Sequence, residues 1–259
     1  MEDNKPTWVA KIDNKKLLDI FDNISQFIDE SNLDITKDGI GIKTADKPMV
    51  CFIDTLIPSS QFDTYVLAQE QKIGINLTNL VSVLKRGKSE KATLKLDKDY
   101  FTISFGSGRE FTIPQLAMKS EELPDINSLK FQALAMVKGD VFRTAIEDCD
   151  IVSDTMNIIG NEDYLMFWTN GNTQRTITTI YKGDKDKLME LEMVKPQLKE
   201  NEPPKQVQFE SRYALEYLKK LKHLTDKVLL EFGTEIPLKI SCNNGYKFSL
   251  LVAPRVAEN

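Results

Sequence analysis

An α+β fold built twice over is the expectation for this chain: two similar domains, each with two helices packed on antiparallel sheets. Three observations lead to it. Four segments place apolar residues at i, i+3, i+4 and i+7, many short alternating runs lie between them, and the second half repeats the order of the first. The four stripes are Leu17, Ile20, Phe21 and Ile24; Leu77, Leu80, Val81 and Leu84; Phe142, Ala145, Ile146 and Cys149; and Ala214, Tyr217, Leu218 and Leu221. Short helices of this kind are stable only when the stripe is buried against a sheet, which leaves each with one wet face.

The elements follow in order. A strand is expected over residues 8–12, then helix one around Leu17, two short strands within 33–44, an apolar run over 49–57 and an alternating run over 62–67. Helix two begins near Leu77, and strands at 92–96, 100–105 and 110–113 close the set. In the second half, the segment 156–169 matches the strand pair of 33–44, and the strands after helix four match those after helix two. The interval between the second helices exceeds that between the first, and a polar loop at 195–206, with Pro196, Pro203 and Pro204, takes up the difference. Residues 115–130 have weak periodicity, the acidic pair Glu121-Glu122 and Pro124, and read as a connector. The expected domains are therefore 1–114 and 131–259, joined by 115–130.

The chain has 259 residues and is 41% hydrophobic, enough for a core in each half. No stretch approaches the roughly 18 to 20 apolar residues that span a bilayer, and the start is polar rather than signal-like, so no membrane is expected. Cys51, Cys149 and Cys242 are odd in number and widely spaced, so they are expected reduced and buried. The formal charge of −5 argues against a uniformly nucleic-acid-binding surface, but lysines gather at 85–91 and 219–222 while acids gather at 121–122, 184–192 and 200–202. Opposite signs on different faces fit that distribution.

Catalytic chemistry is sparse. The only histidine is His223, beside the basic run near helix four, which disfavours a His-dependent triad and excludes a multi-histidine metal site. Gly87-Lys88-Ser89 resembles the tail of a phosphate loop, but Ser82 stands where the first glycine belongs, and the run follows a helix instead of opening one. The acidic pairs Asp148 with Asp150 and Asp184 with Asp186 read as solvated surface. No enzyme activity, cofactor or metal is expected.

What remains is binding. Helix two leaves Lys85 and Arg86 off its apolar stripe, and Lys219, Lys220 and Lys222 lie off the stripe of helix four. Cations at a helix end complement the dipole, which is the plain reading of either cluster. Their recurrence in both halves favours phosphate contact. Helix one is mixed, with Lys11, Lys15 and Lys16 against Asp13, Asp19 and Asp22, and helix three sets Arg143 against Glu147, Asp148 and Asp150. Without interleaved aromatics, any nucleic-acid contact should be electrostatic and indifferent to sequence.

These residues carry a resemblance along nearly the whole chain. Phe62-Asp63-Thr64-Tyr65, then Ile75-Asn76-Leu77-Thr78-Asn79-Leu80, Ser211-Arg212-Tyr213 before helix four, Pro237, and the ending Val252-Ala253-Pro254-Arg255 resemble the sliding clamps of the proliferating cell nuclear antigen type. The resemblance implies the duplicated DNA-clamp fold and a trimeric ring, with helices lining a central hole and sheets forming the wall. Subunits would join edge to edge, through the strands at 109–115 and 173–181.

By the same resemblance, Lys15, Lys16, Lys85, Arg86, Arg143, Lys219, Lys220 and Lys222 would face double-stranded DNA. Ser82 and Glu147 depart from a fully basic lining. Short peptide motifs of partner proteins would dock into a pocket of Ala45, Met49, Leu123, Ile126, Pro237, Leu251, Ala253 and Pro254. Ala45 and Leu251 there replace a methionine and a tyrosine frequent in the family.

The implied function is that of a DNA sliding clamp, a processivity factor that tethers DNA polymerase and, through short peptides, clamp loader, flap endonuclease and ligase type proteins. It would be a homotrimer or a heterotrimer with related subunits. The short tail after Arg255 and the lack of a basic import run point to an archaeal cytoplasmic setting at the nucleoid, or to the nucleus in a eukaryote. A checkpoint-type or viral clamp-like adaptor, or a protein-interaction scaffold that does not encircle DNA, remain as alternatives.

Overall fold

The computed structural model describes residues 6–106, 108–119, 123, 126–194 and 207–255. The acidic pair Glu121-Glu122, Pro124, the proline-bearing loop 195–206 and the tail after Arg255 lie outside them. The chain divides into two compact units, Met1–Pro124 with Asn244–Phe248, and Asp125–Asn243 with Ser249–Asn259.

The first unit contains β1 (Trp8–Asp13), α1 (Asn14–Ile24), β2 (Glu30–Thr36), β3 (Gly39–Ala45), β4 (Cys51–Pro58), β5 (Thr64–Leu67), β6 (Gln71–Asn76), α2 (Leu77–Gly87), β7 (Lys91–Leu96), β8 (Tyr100–Phe105) and β9 (Arg109–Pro114). Its strands form an antiparallel sheet in the order β5-β1-β7-β8-β9 and a run β4-β3-β2-β6. The period-2 pattern sets the faces: in β1, Trp8, Ala10 and Ile12 are buried while Lys11 and Asp13 are exposed. Trp8 stacks on Phe101 with ring centroids 6.2 Å apart, and Tyr65 meets Trp8 edge-on at 5.8 Å.

Both helices begin where a capping side chain dictates. The Asp13 carboxylate accepts the Lys15 N–H at 2.8 Å, and Asn76 Oδ1 accepts the Asn79 N–H at 2.8 Å. The four stripe residues expected of α1 and of α2 are all buried, each worth about 1.5–3 kcal/mol relative to exposure. α2 ends at Gly87 because buried Asn14 takes over its last turn: Asn14 Nδ2 donates to Leu84 O at 2.8 Å and to Lys88 O at 3.1 Å. A Cβ on Gly87 would lie 2.2 Å from Phe105 and 2.6 Å from that same amide.

The second unit contains β10 (Ala133–Lys138), α3 (Gly139–Val152), β11 (Thr155–Asn161), β12 (Tyr164–Asn170), β13 (Arg175–Tyr181), β14 (Leu188–Met193), β15 (Gln208–Ala214), α4 (Leu215–Leu218), β16 (Lys227–Phe232), β17 (Leu238–Asn243) and, from Ser249 on, β18 (Lys247–Val252). Its strands run β14-β10-β16-β17 and β13-β12-β11-β15, again antiparallel. The repeat reaches single hydrogen bonds. Asn14 N–H donates to Glu90 O at 3.2 Å in the first unit, and Gly139 N–H donates to Asp226 O at 2.9 Å in the second.

Two elements differ from the sequence expectation. Helix four is a single turn. β15 extends through Ala214, and after Leu218 the bonds tighten to i+3, from Lys220 N–H to Tyr217 O at 3.3 Å and from Leu221 N–H to Leu218 O at 3.2 Å. Lys219, Lys220 and Lys222 therefore follow the helix and do not lie on one of its faces. The strand β6 was not expected, because Ile73, Gly74 and Ile75 are all buried and show no alternation. A Cβ on Gly74 would lie 2.4 Å from Leu116 O, so this position brings the start of the 115–130 segment against the sheet.

Candidate nucleic-acid interface

Cations of the first unit converge because α1 and α2 pack together, with the start of α1 against the end of α2. Lys15, Lys16, Lys85 and Arg86 are all exposed there. Two of the four are engaged within the chain. Lys85 Nζ lies 3.3 Å from Asp22 Oδ1, an ion pair outside hydrogen-bond angles, and Lys16 Nζ donates to Gln61 Oε1 at 3.2 Å. Asp22 is buried on α1 and Lys85 is half-exposed, so the pair serves folding as much as it presents charge.

In the second unit the cations are more committed still. Arg143 donates to Lys222 O at 2.8 Å, Lys219 Nζ pairs with Asp150 Oδ1 at 3.1 Å, and Lys220 Nζ sits 5.5 Å from the Tyr217 ring centroid. Lys222 is exposed. The solvent side of α3 presents Thr144, Glu147, Asp150 and Ile151, an acidic stripe. The sequence alone does not announce the counter-ion roles of Asp22 and Asp150. The only available signal is that Asp22 stands between Phe21 and Ile24 of the apolar stripe.

The residues expected to form a peptide pocket fall in both units. In the first, Ala45 lines a cleft of about 880 Å³ together with Phe27, Ile28, Asp46, Thr78 and Met118. Leu123 lines a smaller neighbour of about 150 Å³ that shares Met118. Met49, 55% exposed with φ 59°, is held in the β3–β4 turn by Asp46, whose Oδ1 accepts the N–H groups of Val50 at 2.8 Å and Cys51 at 2.7 Å. In the second unit, Ile126, Pro237, Ala253 and Pro254 are half-buried, whereas Leu251 is buried in β18. The sequence points to Ala45 and Met49 but not to the Asp46-held turn that carries them or to Met118; an Asp two residues before Pro48 is the one local signal.

The quoted sequence motifs prove to be structural. Asp63 pairs with Lys91 at 2.5 Å, Phe62 packs on Tyr65, and Tyr65 Oη donates to Thr36 O at 2.7 Å. Burial pushes the Tyr65 phenol up to about 12 and the Tyr213 phenol, which donates to Ile236 O at 3.0 Å, likewise to about 12. Cys51, Cys149 and Cys242 are buried thiols outside any disulfide, with burial raising the Cys149 thiol to about 11.

Both strands expected as subunit edges end their sheets: β9 the first unit's five-stranded sheet and β13 the second unit's four-stranded one. Residues 111–114 and 176–181 carry no charge, and Ile177 and Tyr181 are exposed. Of the other sheet ends, β6 carries Lys72, β14 carries Glu190 and Glu192, and β15 carries Glu210 and Arg212, while the short β5 is uncharged.

Residues 9–128 match the family model described as proliferating cell nuclear antigen, N-terminal domain. The DNA polymerase sliding clamp of Pyrococcus furiosus is 30% identical over 253 residues, covering 94% of this chain and 96% of that one. The crystal structure of PCNA from Thermococcus kodakaraensis superposes with a TM-score of 0.85 at 23% identity, covering 96% of this chain and all of its own (100%). A PCNA2–PCNA3 complex from Sulfolobus tokodaii gives a TM-score of 0.81 at 28% identity, covering 95% and 99%.

Proposed function

The chain belongs to the proliferating cell nuclear antigen family of DNA polymerase sliding clamps, and from that premise we propose that it encircles duplex DNA and tethers DNA polymerase as a processivity factor. The observation that carries the reading is the likeness to the P. furiosus clamp over nearly the full length of both chains. The open edges β9 and β13, with their uncharged runs 111–114 and 176–181, support it, because joining edge to edge in a closed ring removes both. Topological linkage would then hold DNA without tight contacts, which suits cations that are mostly paired within the chain.

The role needs no catalysis by the chain itself. Ring opening would fall to a separate ATP-driven loader, and polymerase, flap endonuclease and ligase type proteins would dock through short peptides near Ala45, Met49 and Leu123 and near Ile126, Pro237 and Pro254. The ring would contain three copies of this chain, or this chain with related clamp subunits. In an archaeal cell it would work in the cytoplasm, at the nucleoid. Among the described residues no helix is long and apolar enough to cross a membrane. Solution mass tests the assembly: a trimer is expected, alone or with related subunits from the same source, and a monomer under every such combination would contradict the reading.

A further inference from the structure

We propose that Lys11, Lys16 and Lys91 form a phosphate-contact patch for duplex DNA on the first unit, beyond the helix faces, and that the matching corner of the second unit does not share this role. The proposal rests on the clamp reading above. Lys11 and Lys91 belong to strands. Adjacent β1 and β7 pair Lys11 with Thr93 and Asp13 with Lys91, and Asp63 leads into β5, which flanks β1 on the other side. All three lysines are exposed near one carboxylate: Lys91 Nζ lies 2.5 Å from Asp63 Oδ2, the Asp63 N–H donates to Lys11 O at 2.7 Å, Lys16 Nζ donates to Gln61 Oε1 at 3.2 Å, and the Lys91 hydrogen bond, with the charges of Lys91, Lys11 and Lys16, holds the Asp63 carboxyl below its ordinary value. Two other acids lie nearby: Asp13 caps α1 through the Lys15 N–H, and Glu90, next to Lys91, is taken up by Arg109. Three lysines and the neighbouring Lys15 thus face two carboxylates, a surplus of positive charge that continues to Arg86 at the end of α2 through the Asn14 bridge.

The same corner of the second unit is balanced. Lys138 lies directly opposite Lys227, and the Lys138 N–H donates to Lys187 O at 3.0 Å, but Asp184 pairs with Lys187 at 3.0 Å, and Asp140 and Asp226 adjoin the other two. Val66 on β5, paired with Val9, is exposed beside the first-unit patch and offers a protein partner a single small apolar contact, whereas a phosphate backbone needs only the point charges that the lysines supply.

The experiment is a titration of the full chain with a short linear duplex across a salt series. The Lys11→Ala/Lys91→Ala variant is compared with wild type and with Lys138→Ala/Lys227→Ala, and thermal melting serves as the check on folding. Loss of two phosphate contacts flattens the slope of log K against log salt by about 2 units. The expected result is that flattening for the first variant and a wild-type slope for the second. Parallel slopes for wild type and Lys11→Ala/Lys91→Ala, or equal flattening in both variants, would overturn the inference, as would a patch that binds only acidic peptide. Retention of wild type on closed circular DNA, measured on the same preparation, separates the two levels. If retention holds and the slopes are parallel, only this inference falls; if retention fails, the clamp reading falls with it.

Discussion

Lys85 is bound to Asp22, its Nζ 3.3 Å from a carboxylate that α1 buries against α2. A cation read from sequence as a DNA contact is thereby also the counter-ion of a buried acid. Replacing it leaves Asp22 poorly compensated, since removing one partner of a buried pair exposes the desolvation cost of the other. Because Lys85 is half-exposed, Lys85→Ala should destabilise the first unit by about 1–3 kcal/mol. Urea unfolding checks this, and an unchanged midpoint would assign Lys85 to the surface alone.

Arg255 closes the second unit. Its N–H donates to Arg212 O at 2.7 Å and its guanidinium to Asp154 at 2.6 Å, so two motifs distant in sequence meet. Arg255 holds the Asp154 carboxyl below its ordinary 3.8. A depressed carboxylate contributes above its ordinary value and loses that contribution as pH falls through the lower folded value. The Arg255 amide resonance should therefore stay fixed from neutrality to about pH 4 and move only below it. In Asp154→Asn it should already sit at its shifted position at pH 7, and an identical titration in both proteins would refute the link.

Two phenols, the half-buried Tyr65 and the buried Tyr213, give the opposite limb. Tyr65 and Tyr213 are raised to about 12 against an ordinary 10.0, so their contribution is complete below pH 10 and disappears as pH rises through 12. Tyr65→Phe and Tyr213→Phe, each losing one hydrogen bond to backbone, should cost about 1 kcal/mol at pH 8 and make alkaline unfolding less steep. Unfolding against pH, followed by circular dichroism, would show no change of slope if the phenols ionise in the folded state.

Gly87 permits the Asn14 cap, and an added methyl would meet Phe105 at 2.2 Å. Gly87→Ala should destabilise by about 1–3 kcal/mol despite alanine's better helix propensity, because the overlap is with a ring and a buried amide. A stability equal to wild type would mean that α2 ends freely.

A charge on the open edge should act on assembly without touching the fold. Ile177 is 46% exposed on β13, and Ile177→Lys should yield a folded chain of unchanged melting temperature that sediments as a monomer. An intact trimer would remove β13 from the interface.

Legibility of the fold followed burial pattern. α1, α2 and α3 could be read because Leu17, Leu77 and Phe142 begin stripes that the structure buries in full. β6 could not, because Ile73 and Ile75 flank a glycine pressed against Leu116 and the run shows no period. Helix four was overextended because Leu221 keeps the helical spacing while its backbone bond has tightened to Leu218. At the candidate site, the identity of the cations was legible, but their pairing was not. Asp22 and Lys85 are far apart in the chain, and only the α1–α2 packing brings them together. Phe62-Asp63-Thr64-Tyr65 pointed to the family for structural reasons, with Asp63 holding Lys91 and Tyr65 holding Thr36.

The central claim is that the chain encircles duplex DNA, and the most direct measurement is its retention on closed circular DNA before and after a single double-strand cut, with a loader from the same source. The account predicts stable retention on the circle and rapid loss on linearisation. Equal retention on both forms, or none on either, would contradict it.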